Sequence, residues 1–393
     1  MNTTGDDVRE NEVPESDERE PDPREPDAPA PHEQPKGWGI ASITVISLAA
    51  VFVVLWGMLE HAGIIMPAFL ALNLVIAAQP LQKLLERKGL PRWPAMIVVL
   101  LVLYLVLLAL VGMLVWSVWV AAERIPEYQD EFTRIYEQTI AFLGTFGVGE
   151  DQITSSLAGI DPQAIMGTVQ NVAGQLSSAG GQLSILVIAL TFLVFDIPGI
   201  ARRREVIAEQ RPRFNDAIES FTHGVKSYWI VSTVFGLIVA AMDVVALFIL
   251  GVPLALVWGV LAFVTNYIPN IGFVLGLVPP ALFALLTGGP AEALWVVVIY
   301  SVINLVMQSF IQPKFYGDAV GLTPTVTFLS LVFWAGIGGP LGALLSVPLT
   351  LAVKAVLVDA DPRLAWFSTF LTPPGADAKR DRRRGGKSAA TAS

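Results

Sequence analysis

One carboxylate and a few side-chain amides stand in stretches otherwise too apolar to need them. Asp243 lies past the middle of IVSTVFGLIVAAMDVVALFILGVP (230–253). Asn266 and Asn270 interrupt FVTNYIPNIGFVLG (263–276), together with Pro269 and Gly272. Asn304 and Gln308 are four residues apart and share one face of a helix. A carboxylate at membrane depth is expensive and reads as a carrier of a proton or a cation. The amides each offer a donor and an acceptor, which suits an uncharged, hydroxyl-rich ligand. Plainer readings stand beside these. Asp243 could lie near an interface or pair with a polar neighbour, and the amides could tie one helix to another for about 0.6–2 kcal/mol each. The ligand-binding reading is favoured for Asn270 and the helix-tying one for Asn304.

Other chemistry finds little footing. The chain has no cysteine, so disulfides, thiolate metal sites and cysteine nucleophiles are excluded. His32, His61 and His223 are scattered, and no metal site or cofactor is expected. The GGKS at 385–388 lacks the first glycine of a phosphate loop, and GIGGPLG (336–342) misses the dinucleotide fingerprint by one position. Without a histidine pair, paired carboxylates or a G-x-S-x-G, an enzyme is not expected, and neither is a nucleic-acid partner.

The elements that must position these residues are set by composition. Apolar residues make up 54% of the 393 and charged residues 15%, which is outside the range of a soluble domain. Runs at about 40–59, 64–80, 94–121, 183–200, 227–250 and 291–312 are long and apolar enough to read as spans. The net charge of −9 comes almost wholly from residues 1–36, with 12 acids and 4 bases. That proline-rich stretch lacks apolar residues to bury and is expected to be a disordered tail over 1–37. Basic clusters at Lys83–Arg92, Arg202–Arg213 and the 359–393 tail belong in the cytoplasm by the positive-inside rule, which puts both termini there. Spans one to three then occupy 38–121. The acidic segment 122–182 falls outside, where Ile125, Tyr128, Phe132, Ile135, Tyr136 and Ile140 recur at the spacing of an amphipathic helix. The remaining apolar chain, 183–358, carries the residues of interest.

Four shorter apolar pieces come in two pairs. Residues 253–268 and 271–288 are split by NYIPNIG, and 322–337 and 340–358 by GIGGP. Breaking a helix at membrane depth frees backbone groups that only protein, water or a ligand can satisfy, and paired breaks point to a transporter site. Two short spans joined by a surface turn would give the same pattern.

MPAFLALNLVIAAQPLQKLLERKGLPRWPAM (66–96), NYIPNIGFVLGLVPPAL (266–282) and the stretch from Gln312 to Leu357 resemble the autoinducer-2 exporter family of bacterial membrane proteins. Pro67, Pro80, Ile268, Pro269, Gly272, Gln312, Pro313, Lys314, Gly321, Pro324, Gly338, Gly339, Gly342 and Pro348 carry the likeness, which covers about 38–358. Asn270 and Phe273 stand where the family's central motif has an aromatic residue and a second proline. The resemblance implies an all-α polytopic inner-membrane protein: six clear helices and two broken hairpins, about eight spans. It implies export of a small polar solute related to autoinducer-2, and some members resemble sodium/proton antiporters. The expected substrate site is Asn266, Pro269, Asn270, Gly272, Gln308, Gly338, Gly339 and Pro340, with Asp243 as the coupling carboxylate and a homo-oligomer as the assembly. A cation antiporter and a non-transporting membrane scaffold are the alternatives.

Overall fold

The computed structural model describes residues 40–128, 180–269, 271–312 and 321–372, with isolated positions between 130 and 174. By its contacts the chain divides into two units. The first ends at Val54, inside helix α1 (Ile40–Glu60), and Leu55–Ser393 holds the elements that follow. The described residues form helices and no strand.

Helices α2 (Ala62–Arg87), α3 (Arg92–Arg124), α4 (Gly180–Gln210) and α5 (Pro212–Leu250) follow from long runs of Leu, Val, Ile and Ala. In hydrocarbon such a run must satisfy its amides within its own helix. Among the described residues six helical stretches, from Ala62–Arg87 to Pro324–Leu344, are long and apolar enough to cross a membrane. Their outer faces carry large apolar side chains with nothing over them: Phe192 is 73% and Ile249 80% exposed. A belt of that kind is a lipid-facing surface.

Val75 of α2, Met96 and Val99 of α3, and Leu186, Leu190 and Val194 of α4 form one core cluster. An elbow joins α4 to α5, where Pro212 occupies the first turn of α5 and gives up no needed hydrogen bond. The Arg204 guanidinium bonds Asn215 Oδ1 at 2.9 Å and Glu219 Oε2 at 3.0 Å across that elbow, and Arg203 pairs with Asp196. α5 stops at Gly251, whose φ of 79° suits only glycine well.

Beyond α5 the helices are broken. α6 (Ala255–Thr265) is too short to cross a bilayer alone. α7 (Gly272–Leu305) is interrupted at Gly289 (φ 81°, ψ −171°) and continues into a π-helical turn, Val306–Ile311. α8 (Pro324–Leu344) is interrupted at Gly339 (φ 58°, ψ −139°). α9 (Ser346–Val353) runs into a second π-helical turn, Lys354–Asp359. Both interrupting glycines precede a proline, so one residue supplies the left-handed backbone and the next removes a donor.

These breaks reverse the chain. Gly276 and Tyr300 line the same pocket, although an unbroken helix would separate them by roughly 36 Å at about 1.5 Å per residue. A Cβ on Gly272 would overlap the Thr265 carbonyl oxygen, and one on Gly342 would overlap that of Trp334. Each hairpin therefore closes where only a hydrogen fits. The tips meet in one core cluster holding Tyr267 of the first and Trp334 and Leu345 of the second, with Met66 and Trp229.

The structure also draws attention to a repeat. Phe283, Gly288, Gly289, Pro290, Ala293, Leu294 and Val297 recur with identical spacing as Phe333, Gly338, Gly339, Pro340, Ala343, Leu344 and Val347. GIGGP therefore has its match in the Gly-Gly-Pro at 288–290 and not in NYIPNIG, with which the pattern of apolar pieces pairs it. Lys354 is 7% exposed and bonds both carboxylate oxygens of Asp359 at 3.0 Å. Both residues lie in the π-helical turn, whose five-residue repeat puts them on one face. Of the segment expected outside, Ile125–Tyr128 forms a 3-10 turn whose Tyr128 packs edge-on against Phe283 at 5.4 Å. Most of the rest of that segment, most of both tails, and Asn270, Pro313 and Lys314 lie outside the described residues.

Candidate functional site

A pocket with about 220 Å³ of empty volume lies where α5, the end of α6 and both arms of α7 meet. Its clear centre has room for about one water-sized molecule. α5 supplies Val239 and Asp243, one turn apart; the α6 end supplies Thr265 and Asn266. The arms of α7 bring Gly272, Phe273 and Gly276 on one side and Tyr300 and Asn304 on the other. The glycines let the first arm lie close on α6, so the polar groups of three helices face one small space.

Those polar groups are not all satisfied. Asp243 and Tyr300 are each 1% exposed, and neither Asp243 Oδ1 nor the Tyr300 hydroxyl has a hydrogen-bond partner. Burying a polar atom unpaired costs about 1–3 kcal/mol, and more for a charge. An arriving proton, cation or hydroxyl group would relieve that cost. Asn266 donates through Nδ2 to the Ser232 carbonyl at 3.4 Å. Thr265 Oγ1 donates to its own helix at Ala262, at 3.3 Å. Asn304 donates to the Tyr300 carbonyl and accepts from Gln308 Nε2, both at 3.0 Å.

The hairpin tip is held against α5 by hydroxyls. Tyr228 donates to the Tyr267 carbonyl at 2.7 Å, and the Tyr267 hydroxyl meets Thr233 Oγ1 at 2.8 Å. Behind them Trp229 Nε1 donates to Asn73 Oδ1 of α2 at 3.3 Å, and Asn73 Nδ2 donates to the Phe69 carbonyl at 2.7 Å. Asn73 is wholly buried, and its role as a buried support was not singled out from sequence.

The structure brings together Asp243, Asn266 and Gly272 in the pocket wall. Gln308 sits one turn below, bonded to Asn304. Pro269 lies in the turn before Gly272 and is not among the lining residues. Gly338, Gly339 and Pro340 form the other break, away from this lining, and a Cβ on Gly338 would sit 2.8 Å from Met66 Cε. Asn304, read as a tie between helices, makes its bonds within α7 and faces the pocket. Tyr300 and Thr265 were passed over; the four-residue step from Tyr300 to Asn304 was the available signal. Among the described residues no group of three His, Asp or Glu could hold a metal ion.

Set against known proteins, residues 42–360 match the AI-2E family transporter profile. The AI-2 transport protein TqsA of Escherichia coli (strain K12) is 32% identical over 315 residues, which is 80% of this chain and 91% of that protein. A protein of Haemophilus influenzae is 28% identical over 333 residues, covering 84% and 95% of the two chains. YhhT of Escherichia coli (strain K12) is 31% identical over 314 residues, covering 79% and 88%. Both are named as candidate transport proteins without a solute. The matched region contains every helix that builds the pocket, and the chain belongs to the AI-2E transporter family: it is a multi-pass membrane transporter.

Proposed function

We propose that the protein exports a small, uncharged, hydroxyl-bearing solute of the autoinducer-2 kind, with Asp243 coupling export to proton entry. The observation that carries this reading is the pair of unpartnered buried groups, Asp243 Oδ1 and the Tyr300 hydroxyl, at one pocket with Asn266 and Asn304. The similarity to TqsA, named for AI-2 transport, supports the solute class. Asp243 is the single charged residue in the lining, which favours a neutral solute with one coupling proton over a cation antiporter with several carboxylates.

With clear room for about one water, the pocket is too tight for a sugar-sized solute as it stands. Binding requires the hairpin of α6 and α7 to move against α5, as broken-helix transporters do when they alternate access. In this reading the basic elbow and both termini face the cytoplasm of a bacterium, in the inner membrane, and copies of the chain assemble. Gly338 to Pro340 form the second moving tip.

Everted membrane vesicles with an acidic interior test this. Vesicles with the wild-type chain are expected to accumulate autoinducer-2, and those with Asp243→Asn to fall to background. Accumulation independent of the imposed pH gradient would remove the coupling role, and no accumulation at all would remove the solute.

A further inference from the structure

The second arm of α7 carries a row of polar side chains one turn apart: Tyr300, Asn304, Gln308 and Gln312. Neighbouring faces of the same arm are apolar and exposed, as at Val302, Leu305 and Phe310. The row is turned inward. Tyr300, Asn304 and Gln312 are buried and Gln308 is half-buried.

Amides at such positions are ordinarily explained as ties between helices. That explanation fails here. Gln308 donates to Asn304, and Asn304 donates to the Tyr300 carbonyl, so among the described residues the hydrogen bonds of these two amides run along α7 and its π-helical continuation. Each remains free to offer capacity toward whatever occupies the space beside it. The row bears no charge, which leaves nothing to hold a cation or an anion strongly.

Its two ends lie in different places. The upper end is the pocket, where Tyr300 and Asn304 stand with Asp243 and Val239 of α5. Farther along, Ile303 and Met307 cluster with Val231, Phe235 and Val239. The arm therefore runs antiparallel to α5, and Gln312 lies at its end toward the α4–α5 elbow. A π-helical turn, Val306–Ile311, spans the row at Gln308; such turns loosen the backbone and are frequent at functional sites.

We propose that Tyr300, Asn304, Gln308 and Gln312 are the inner half of the solute path: a neutral hydrogen-bonding track that passes an uncharged hydroxyl-bearing solute from the elbow side to the Asp243 pocket. This rests on the solute reading above. Gln308 is the specificity-determining midpoint, one turn before the pocket. Its amide replaces water on the hydroxyls of the solute and offers nothing equivalent to an alkyl compound of the same size.

The chain's lack of cysteine makes the test direct. Single variants Gln308→Cys, Gln312→Cys and Phe310→Cys are exposed to a membrane-impermeant methanethiosulfonate from the elbow side, in everted vesicles. The first two are expected to react, and Phe310→Cys, which faces lipid, at least about tenfold more slowly. Added autoinducer-2 should slow the reaction at Gln308→Cys and leave that at Arg213→Cys unaffected. In flux measurements Gln308→Leu should raise KM with little change in maximum rate, and Gln308→Asn should recover part of the loss. A purely structural residue would lower thermal stability without splitting KM from rate. The proposal is overturned if Gln308→Cys is as inert as Phe310→Cys, or if Gln308→Leu transports normally. Intact autoinducer-2 flux with an inert row would remove the track and leave the proposed function standing. A reactive row in a chain that moves no autoinducer-2 would do the reverse.

Discussion

Past the glycine break in α7, a tyrosine hydroxyl has no partner and an asparagine bonds only within its own helix. Past the matching break in α8, the residues at the same distances are Thr350 and Lys354, and both are engaged. Thr350 Oγ1 accepts from Trp334 Nε1 at 3.0 Å, and Lys354 holds Asp359. Ser346, whose buried hydroxyl lacks a partner, is the exception on that side. The same Gly-Gly-Pro device thus serves two ends. After one copy a hydroxyl and an ammonium both hold partners, while after the other the Tyr300 hydroxyl stands unpartnered at a pocket and Asn304 bonds only along its own helix.

The two copies should therefore respond differently to substitution. The largest effect belongs to the second. Lys354→Ala leaves the half-buried Asp359 carboxylate without its partner and should cost about 3 kcal/mol, read as thermal unfolding of the purified protein. Replacing both by Lys354→Met and Asp359→Leu should return much of it. An unchanged melting temperature for the single variant would show the pair to be idle.

Next come the glycines that the two hairpins have in common. Gly272→Ala and Gly342→Ala each drive a methyl into a backbone carbonyl, for about 1–3 kcal/mol. The contrast predicts similar losses of folded protein in both, since closure of the turn is shared; a large inequality would mean that one hairpin relaxes freely.

Thr350→Val removes the partner of the Trp334 indole and should cost about 1–2 kcal/mol, with flux reduced only in proportion to folded protein. Asn304→Leu should shift stability least, by about 0.6 kcal/mol or less, yet lose most autoinducer-2 flux. Should Asn304→Leu transport normally while Thr350→Val does not, the assignments of the two copies would have to be exchanged.

Much of this was open to reading from residues alone. Apolar runs long enough to span are local facts, and so are the helix breaks, because Gly and Pro act on their own backbone. Asp243, Asn266 and Gly272 could be singled out because a polar or breaking residue in an apolar run has few ordinary explanations. Tyr300 could not, since a tyrosine in a membrane helix is unremarkable until its hydroxyl is seen to lack a partner. Asn304 was misread for a related reason: an amide that ties helices and one that faces a pocket look the same in a sequence.

The order of spans, the two broken hairpins and the family are properties of the chain written in its residues one after another. Which breaks reverse onto which helices depended on tertiary structure. So did the separation of Gly338–Pro340 from the Asp243 pocket and the engagement of Lys354 by Asp359. The physical reason is that hydrophobicity and backbone freedom are carried by each residue, whereas the satisfaction of a buried polar atom depends on neighbours that folding brings to it.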